Sequence, residues 1–375
     1  MNSIGGERYM RMALRLAARA RGQTDPNPMV GAVVVRSGRI VGHGYHRKAG
    51  QPHAEVFALQ EAGVAAQGAT LYVSLEPCAH TGRTPPCTEA IRKAGIRNVI
   101  AAMIDPNPLT RGRGLKWLKA RGIGTSVGLL EPEARSLNQG FITRMQAGRP
   151  FVTIKAAQSL DGKIATASGE SRWITGPAAR QWVHRLRAES DAILVGVETV
   201  LKDDPRLTVR SMHSRSAPVK IILDSSLRTP PASRLFSSGS PVWIAATSAA
   251  SAQRERLLRR AGAEILRLPD RAGRVDLGAL LKELARREIS RLLIEGGGEV
   301  IASALQAKAV DRVIWMVAPK IIGGRDSVPV VGGKGVASLK KAILLENVAV
   351  QHVGSDLLIT GDVRFPGSRD VHGDH

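Results

Sequence analysis

Four residues in the first part of the chain could together bind a metal ion and use it. His53 and Glu55 lie two positions apart, and Cys78 and Cys87, the only two cysteines, follow within one segment rich in proline. One imidazole and two thiolates leave the fourth position of a tetrahedral Zn²⁺ open, as in catalytic zinc sites. The metal lowers the pKa of a water molecule, and a carboxylate beside it, here Glu55, can move the proton.

The order of these residues narrows the chemistry further. His-x-Glu followed by Pro-Cys-x-x-Cys is typical of zinc-dependent deaminases of nucleobases, although the cysteines here have eight residues between them. His80, beside Cys78, is interpreted as a loop residue rather than a fourth ligand. The alternatives are a closed structural zinc site, or a buried histidine near two core thiols.

The elements around these residues predict an α/β fold in which His53 starts a helix, Cys78 follows a strand and Cys87 precedes a helix. The Arg-rich N-terminus could pass for a transit peptide, but its apolar residues at helical spacing favour the first helix of the fold. The predicted strands are Met29–Val35, Arg39–Tyr45, Thr70–Leu75 and Val99–Ile104, and the predicted helices are Ala54–Glu61, Thr88–Ala94 and Glu131–Ala147.

A break at Gly148-Arg149-Pro150 precedes a second alternating series of strands and helices. We predict domains at residues 1–147 and 148–365, with a polar tail at 366–375. The predicted strands of the second domain are Phe151–Ala157, Ala192–Val197, Lys220–Asp224, Val242–Thr247, Arg291–Glu295, Val313–Val317 and a closing antiparallel hairpin within Leu345–Thr360.

The second domain contains no Gly-x-Gly-x-x-Gly after its first strand. Residues 291–300 nevertheless have the pattern of a strand, a Gly-rich turn and a helix. Such a turn lets the backbone approach a pyrophosphate closely, and the helix N-terminus attracts its charge. We interpret it as a candidate cofactor site.

Motifs along nearly the whole chain resemble one family. Residues 26–31, His53-Ala54-Glu55 and residues 76–88, including the long insert between the cysteines, resemble the zinc-dependent cytidine-deaminase superfamily. Within it they are most similar to the deaminase domain of the bifunctional riboflavin-biosynthesis enzymes. Residues 159–162, 171–175, 199–205 and 295–297 resemble the reductase domain of those enzymes. The resemblance implies an N-terminal cytidine-deaminase-like α/β/α domain and a C-terminal dihydrofolate-reductase-like α/β domain.

The resemblance also implies an activity. Members of that family deaminate 2,5-diamino-6-(5-phosphoribosylamino)pyrimidin-4-one with zinc and reduce its ribosyl chain with NADPH, giving 5-amino-6-(5-phosphoribitylamino)uracil. His53, Cys78 and Cys87 would bind zinc, Glu55 would transfer protons and Asn27 would bind substrate. Substrate at the reductase site would meet Lys155, Ser171, Arg187, Leu207, Arg210 and Glu295. NADPH would meet Ala157, Trp173, Thr199, Asp203, Gly297, Gly298, Glu299, Val300, Ile301, Ala302 and Ser303. For Trp173 the alternative is a core position, and for the two arginines an ordinary surface position.

Composition limits the partners. With 54 Lys and Arg against 32 Asp and Glu, the net charge is +22, which favours anionic partners. We expect a phosphorylated pyrimidine metabolite and no nucleic acid. The alternative, a tRNA-type base deaminase with a C-terminal binding domain, calls for stacking residues, but only 3% of residues are aromatic. A structural zinc protein is the non-enzymatic alternative.

Two cysteines do not form a disulfide framework, so we expect a reducing compartment, the cytoplasm. No apolar run reaches the length that spans a membrane, and we expect no membrane partner. We also expect a homo-oligomer.

Overall fold

The computed structural model describes residues 3–80, 85–209 and 217–367. The chain divides into two compact units, Met1–Arg149 and Pro150–His375. The boundary after residue 147 remains a prediction. So does the polar tail at 366–375, most of which lies outside the described residues.

The first unit contains a five-stranded sheet in the order β2-β1-β3-β4-β5. β1 pairs antiparallel with β2 and β3, and β3, β4 and β5 are parallel. The elements in chain order are α1 (Ser3–Ala18), β1 (Gly31–Arg36), β2 (Arg39–Tyr45), α2 (Ala54–Ala62), β3 (Thr70–Val73), α3 (Cys87–Lys93), β4 (Asn98–Ala101), α4 (Arg113–Lys119), β5 (Gly124–Val127), α5 (Glu131–Leu137) and α6 (Gln139–Ala147).

Helices cover both faces of this sheet. On one face α2, α3 and α4 bury a core with Val34, Leu71 and Val99, and on the other α1 packs on Val33 and Tyr72. Glycines let α2 lie unusually close to β2, because a Cβ on Gly42 would sit 2.2 Å from the Ala58 carbonyl oxygen. This close packing positions the start of α2, where His53 and Glu55 lie.

The single helix predicted over Glu131–Ala147 is wrong. Two helices, α5 and α6, meet at Asn138, whose backbone leaves the helical region with φ −105° and ψ 20°. The Asn138 side chain bonds the backbone of Met29, in the loop after α1. The interruption therefore has a tertiary cause.

The second unit contains a nine-stranded sheet in the order β11-β10-β9-β8-β14-β6-β15-β18-β17. Pairs are parallel except β15 with β18 and β18 with β17, so the predicted closing antiparallel hairpin is confirmed. The nine strands of this sheet are β6 (Phe151–Ser159), β8 (Ala192–Gly196), β9 (Val219–Leu223), β10 (Val242–Thr247), β11 (Ala263–Leu268), β14 (Arg291–Ile294), β15 (Arg312–Ala318), β17 (Leu344–Val353) and β18 (Asp356–Arg364). Two further sheets have two strands each: β7 (Lys163–Ala165) with β16 (Val328–Pro329), and β12 (Asp270–Arg271) with β13 (Arg274–Val275).

Helices lie on both faces of this sheet as well. The helices are α7 (Pro177–Ala188), α8 (Val197–Asp203), α9 (Ala252–Arg260), α10 (Leu277–Arg286) and α11 (Gly298–Gln306). Alternate residues of β8 show the two cores: Leu194 packs with residues of α10 and α11, and Ile193 packs with residues of α8 and α9. In the described part of the chain, no helix has both the length and the apolar character needed to cross a bilayer.

Two candidate active sites

The first site brings the three predicted metal ligands together. His53 caps the N-terminus of α2, Cys87 is the first residue of α3, and Cys78 lies in the loop after β3. His53 Nδ1 is 3.1 Å from Cys87 Sγ and 3.6 Å from Cys78 Sγ, and one atom of each residue lies within 4.8 Å of the others. The neighbouring His80 is exposed and outside this cluster. One nitrogen and two sulfur donors are a set that zinc prefers.

The hydrogen bonds in the cluster favour a negative charge on one sulfur, which suits a bound cation. Hydrogen bonds from Cys87 and His53 lower the pKa of Cys78 to about 4, against the effect of burial. The pKa of Cys87 is raised, because the Cys78 sulfur lies beside it and because it is buried. The hydrogen bond with Cys78 raises the pKa of His53. A thiolate is therefore the stable form of one sulfur, and the thiolate is the form that binds metals.

Glu55 lies in the first turn of α2, beside these donors, and is only 3% exposed. Its Oε2 is buried without a hydrogen-bond partner among the described residues. Burial raises the pKa of Glu55, so the carboxyl group can hold a proton more readily than an exposed glutamate. A buried acid with one uncommitted oxygen can take a proton and release it again.

Asn27 is held by a histidine that the sequence did not indicate as functional. Asn27 lies in residues 24–29, which we call the Asn27 loop, and its Nδ2 is 3.1 Å from Nε2 of the buried His46. His46 Nδ1 is 3.1 Å from the Pro52 carbonyl oxygen, which can only accept, so Nδ1 carries a proton. Burial lowers the pKa of His46 and favours the neutral ring, whose Nε2 then accepts from Asn27 Nδ2. Asn27 Oδ1 is thereby left as an acceptor for a ligand.

His46 also contacts the predicted metal ligand His53. Its ring meets that of His53 edge to face, with centroids 5.4 Å apart. The only local signal for His46 in the sequence is its position immediately after a predicted strand, which many surface histidines share. Its role depends on contacts between segments that are distant along the chain.

Glu76 is a second residue whose role appears only in the structure. Its buried carboxylate accepts hydrogen bonds from the backbone N–H groups of Asp105, Gly112, Gly114 and Leu115, at 2.8–3.2 Å. It therefore holds the segment before α4 against the Pro77-Cys78 turn. A Cβ on Gly114 would lie 1.8 Å from the Pro77 carbonyl oxygen, so only glycine fits this approach.

The second site centres on an ion pair between α7 and the end of β14. Arg187 Nε and Nη2 donate to the two oxygens of Glu295 at 2.6 and 2.7 Å, and Arg187 Nη1 donates to the Thr208 carbonyl at 3.2 Å. The side chains are 17% and 8% exposed, so Arg187 is not an ordinary surface arginine. Burial opposes the ionised form of Glu295, but Arg187, Lys155 and His184 together lower its pKa.

Lys155 completes this cluster. It lies on β6, the strand beside β14, and burial lowers its pKa even though the charge of Glu295 acts to raise it. The pair of Arg187 and Glu295 is nearly neutral overall, so Lys155 gains little compensation for being buried. An amine in this setting gives up its proton more readily than an exposed lysine.

The predicted cofactor residues lie on several elements around the same end of the sheet. Trp173 is 65% exposed, so the core alternative is wrong, and Arg180 stacks on its ring at 4.4 Å from the centroid. Arg172 donates to the Asp203 carbonyl at 2.7 Å, which ties the Trp173 segment to the end of α8, the helix that also carries Thr199. Ala157 lies on β6 and packs against residues of α7.

The Gly-rich turn leads from β14 into α11, as predicted. Gly297 is the N-cap of α11, and a Cβ added there would meet nothing within 4 Å, so the backbone can be approached closely. The predicted cofactor stretch continues over the first turns of α11: Gly298, Glu299, Val300, Ile301, Ala302 and Ser303. Ile301 and Ala302 are 1% and 5% exposed, which leaves their side chains to the core.

The three remaining predicted substrate residues of the second site are Ser171, Leu207 and Arg210. Ser171 is half-buried and lies before Arg172 in the loop that carries Trp173. Leu207 is buried, at φ 48°, between the end of α8 and Thr208. Arg210 lies outside the described residues.

Comparison with known proteins decides the family. Residues 5–103 match the cytidine and deoxycytidylate deaminase zinc-binding region, and residues 150–359 match the RibD C-terminal domain. The riboflavin biosynthesis protein RibD of Aquifex aeolicus is 46% identical over 351 residues, which cover 94% of this chain and 96% of that protein. The chain belongs to the RibD family.

Solved structures of RibD proteins extend the likeness to three dimensions. One form of Acinetobacter baumannii RibD superposes with a TM-score of 0.89 at 39% identity, covering 97% of this chain and all of the other. A Thermotoga maritima structure, described as a diaminohydroxyphosphoribosylaminopyrimidine deaminase and 5-amino-6-(5-phosphoribosylamino)uracil reductase, has a TM-score of 0.84 at 36% identity and covers 96% of this chain and 99% of the other. The expected fold class, a deaminase domain followed by a RibD reductase domain, is confirmed.

Proposed function

We propose that this chain is a bifunctional enzyme of riboflavin biosynthesis. It removes the 2-amino group of 2,5-diamino-6-(5-phosphoribosylamino)pyrimidin-4-one by hydrolysis and then reduces the ribosyl chain, yielding 5-amino-6-(5-phosphoribitylamino)uracil. One observation carries the proposal: the cluster of His53, Cys78, Cys87 and Glu55 lies in a chain whose other half matches the RibD C-terminal domain.

The donor set and the uncommitted carboxyl oxygen fit a catalytic zinc ion held by His53, Cys78 and Cys87. When bound, zinc supplies a Lewis acid that makes water a nucleophile near neutral pH. Glu55 Oε2 takes a proton from the attacking water and delivers it to the departing amine. Because Glu55 is buried, bulk water does not compete for that proton.

Asn27 orients the pyrimidine in the deaminase site. Its Nδ2 is used by His46, so Oδ1 accepts a hydrogen bond from an N–H or O–H group of the substrate. The orientation of this amide is thus set by protein contacts before substrate binds, which lowers the entropy lost on binding.

In the reductase half, NADPH supplies the hydride when bound. Gly297 and the N-terminus of α11 suit its phosphates, because a Cβ on Gly297 would meet nothing within 4 Å and the first N–H groups of a helix have no partner within it. The proposed contacts of the rest of the cofactor are Ala157, Trp173, Thr199, Asp203 and the stretch from Gly298 to Ser303. Lys155, Glu295 and Arg187 face the ribosyl group, with Ser171, Leu207 and Arg210 as further substrate contacts.

The function is tested by following two products separately. Zinc-loaded protein is given the phosphoribosylamino-pyrimidinone under anaerobic conditions, and ammonia release and NADPH oxidation are recorded. We expect both, in that order. Ammonia released from an oligonucleotide but not from this substrate would instead support the nucleic-acid deaminase, which the match of the second half to a reductase family does not favour.

We place the enzyme in the cytoplasm, because Cys78 and Cys87 must stay reduced to serve as ligands and are free thiols. Fractionation of the source cells with a cytoplasmic marker tests this location.

The homo-oligomer that we propose is formed by a second copy adding to β17. This edge strand is ten residues long, contains no Lys, Arg or Pro, and exposes Leu344, Val348 and Val350. A bulge interrupts the register between Glu346 and Ala349, but the stretch after it is regular, and such an antiparallel edge can pair with itself across a two-fold axis. Val350→Lys should shift the mass measured by light scattering towards the monomer, and an unchanged mass would contradict this interface.

A further inference from the structure

The Asn27 loop is held in place by a residue that no motif singled out, Asn138. Asn27 and Asn138 are 111 positions apart, and Asn138 is 2% exposed at the junction of α5 and α6. Its Oδ1 accepts from Met29 N at 2.8 Å and its Nδ2 donates to Met29 O at 3.0 Å. One side chain thus bonds both backbone groups of a residue two positions from Asn27.

A second contact holds the other side of the same loop. Arg144 Nη2, six residues after Asn138 and within α6, donates to the Pro26 carbonyl at 2.7 Å. The Met29 side chain is buried with Ala17 and Ala20 at the end of α1. The backbone on both sides of Asn27 is therefore fixed from α6.

Asn27 connects this loop, through His46, to the predicted metal ligand His53. Asn27 Nδ2 contacts His46, and the His46 ring contacts both the Pro52 carbonyl and the ring of His53. A shift of the Asn27 loop would move Asn27 relative to His46 and leave the buried backbone groups of Met29 without partners. The break between α5 and α6 places Asn138 where it can prevent that shift.

We propose that Asn138 is a positioning residue of the deaminase site, which clamps the backbone of Met29 and thereby aims Asn27 at the substrate. This inference rests on the proposed function, because it takes Asn27 as a substrate contact. It adds a residue, and a reason for the interrupted helix, that the role of Asn27 alone does not contain.

The test is a double-mutant cycle on the full chain, with Asn27→Ala, Asn138→Asp and the double variant. Asn138→Asp keeps the shape and the acceptor but turns the donor that faces Met29 O into an oxygen. We expect Asn138→Asp to lower kcat/KM for deamination about tenfold, mostly through KM, because a small misplacement of an orienting group is costly. In the Asn27→Ala background the same change should have an effect of less than about twofold, since residues that act through one another are not additive.

The bifunctional chain supplies its own control. Reduction of separately supplied deaminated intermediate and the zinc content should stay within error of wild type in Asn138→Asp, whereas the Tm should fall, because the new carboxylate oxygen is buried against the Met29 carbonyl oxygen. Arg135→Ala, which removes a half-buried pair with Glu131 on α5, is the matched control and should leave deamination unchanged. If Asn138→Asp folds poorly, Arg144→Met removes the second contact to the loop and should raise KM in the same direction.

Each other outcome overturns a defined claim. An Asn138→Asp effect that is fully additive with Asn27→Ala, or that appears equally in reduction and zinc content, makes Asn138 merely structural. Unchanged deamination in both Asn138→Asp and Arg144→Met overturns the clamp, provided that Asn27→Ala is impaired. If Asn27→Ala itself is unimpaired, the proposed substrate role of Asn27 fails, and the clamp fails with it.

Discussion

The two candidate sites differ in how their polar groups are committed. At the deaminase site the donors of His53, Cys78 and Cys87 lie close together, and Glu55 Oε2 has no hydrogen-bond partner among the residues that the structure describes. At the reductase site the charged side chains of Arg187 and Glu295 already neutralise one another through two short hydrogen bonds. The first site therefore depends on single side chains, and the second depends on a pair and on the shape around it.

This difference predicts how each site fails. Loss of one convergent donor removes a function outright, whereas loss of one member of a pair leaves a buried charge and affects folding as well as activity. Because both sites lie in one chain, each activity is the control for the other.

Removal of zinc should have the largest effect. Dialysis against a chelator should reduce ammonia release to background, while reduction of supplied deaminated intermediate continues unchanged, because only the first site contains a convergent donor set among the described residues. Metal analysis and both assays are run before and after zinc is restored. Deamination that persists in protein free of metal would break the comparison, since the first site would then not depend on its donors.

Glu55→Gln should lower kcat for deamination about 10³-fold, because the amide has the shape of the carboxyl group but cannot take a proton. Zinc content and NADPH oxidation on supplied deaminated intermediate should be unchanged. Glu61→Gln, on the same helix but exposed and paired with His43, is the matched control and should be silent. A Glu55→Gln variant with near wild-type kcat would show that another group transfers the proton.

The same contrast explains what could be predicted from the sequence. The deaminase cluster was predictable because His53, Glu55, Cys78 and Cys87 lie within one short stretch of chain and have few other uses together. The strands that were predicted lie within a few residues of the observed ones, since alternation and valine-rich runs are local signals, but β11 of the nine-stranded sheet was not predicted. The zinc and riboflavin-family interpretation is confirmed by the family matches.

What was missed depends on contacts over long distances in the chain. The break at Asn138 follows from a bond to Met29, 109 residues away, and helix periodicity carries no trace of it. His46 and Glu76 act through partners on other segments. Arg187 and Glu295 are 108 residues apart, and only the resemblance to a family, not spacing, suggested them together. The roles assigned to the individual site residues stay predictions.

Arg187→Met should lower kcat/KM for reduction about 10²-fold and the free energy of unfolding by about 3 kcal/mol, because Glu295 is left buried without its partner. Deamination should be kept wherever the protein is folded. Arg187→Lys, which retains the charge but not the planar fork, should be intermediate. If deamination and reduction fall together in folded protein, the two sites are not independent as we argue.

The pH dependence of this loss has a definite sign. In the wild type the pKa of Glu295 is lowered, so its contribution to stability is present above the pKa of an unfolded glutamate and is lost as the pH falls through the folded pKa. In Arg187→Met burial dominates and the pKa rises, so Glu295 becomes neutral on mild acidification. The difference in stability between the two proteins should therefore shrink from pH 7 to pH 5, as measured by urea unfolding, and a growing difference would contradict the ion pair.

Asp161→Asn should have the smallest effect, because several weak contacts hold the loop at Asp161, whereas the deaminase site depends on single side chains. Asp161 accepts from Ser159 Oγ at 2.6 Å and from the backbone of Ile322 and Gly323 at 3.1 and 2.7 Å, next to Lys320, which donates to the Trp173 carbonyl. With one acceptor weakened and the loop otherwise held, KM for NADPH should rise about threefold, a change of the order of one hydrogen bond. These contacts lower the pKa of Asp161 to about 2, so its stabilising effect is present above the pKa of an unfolded aspartate and is lost as the pH falls towards 2. Urea midpoints of the two proteins should therefore converge between about pH 4 and about pH 2, and a tenfold or larger rise in KM would mean that the reductase site, like the deaminase site, depends on one side chain.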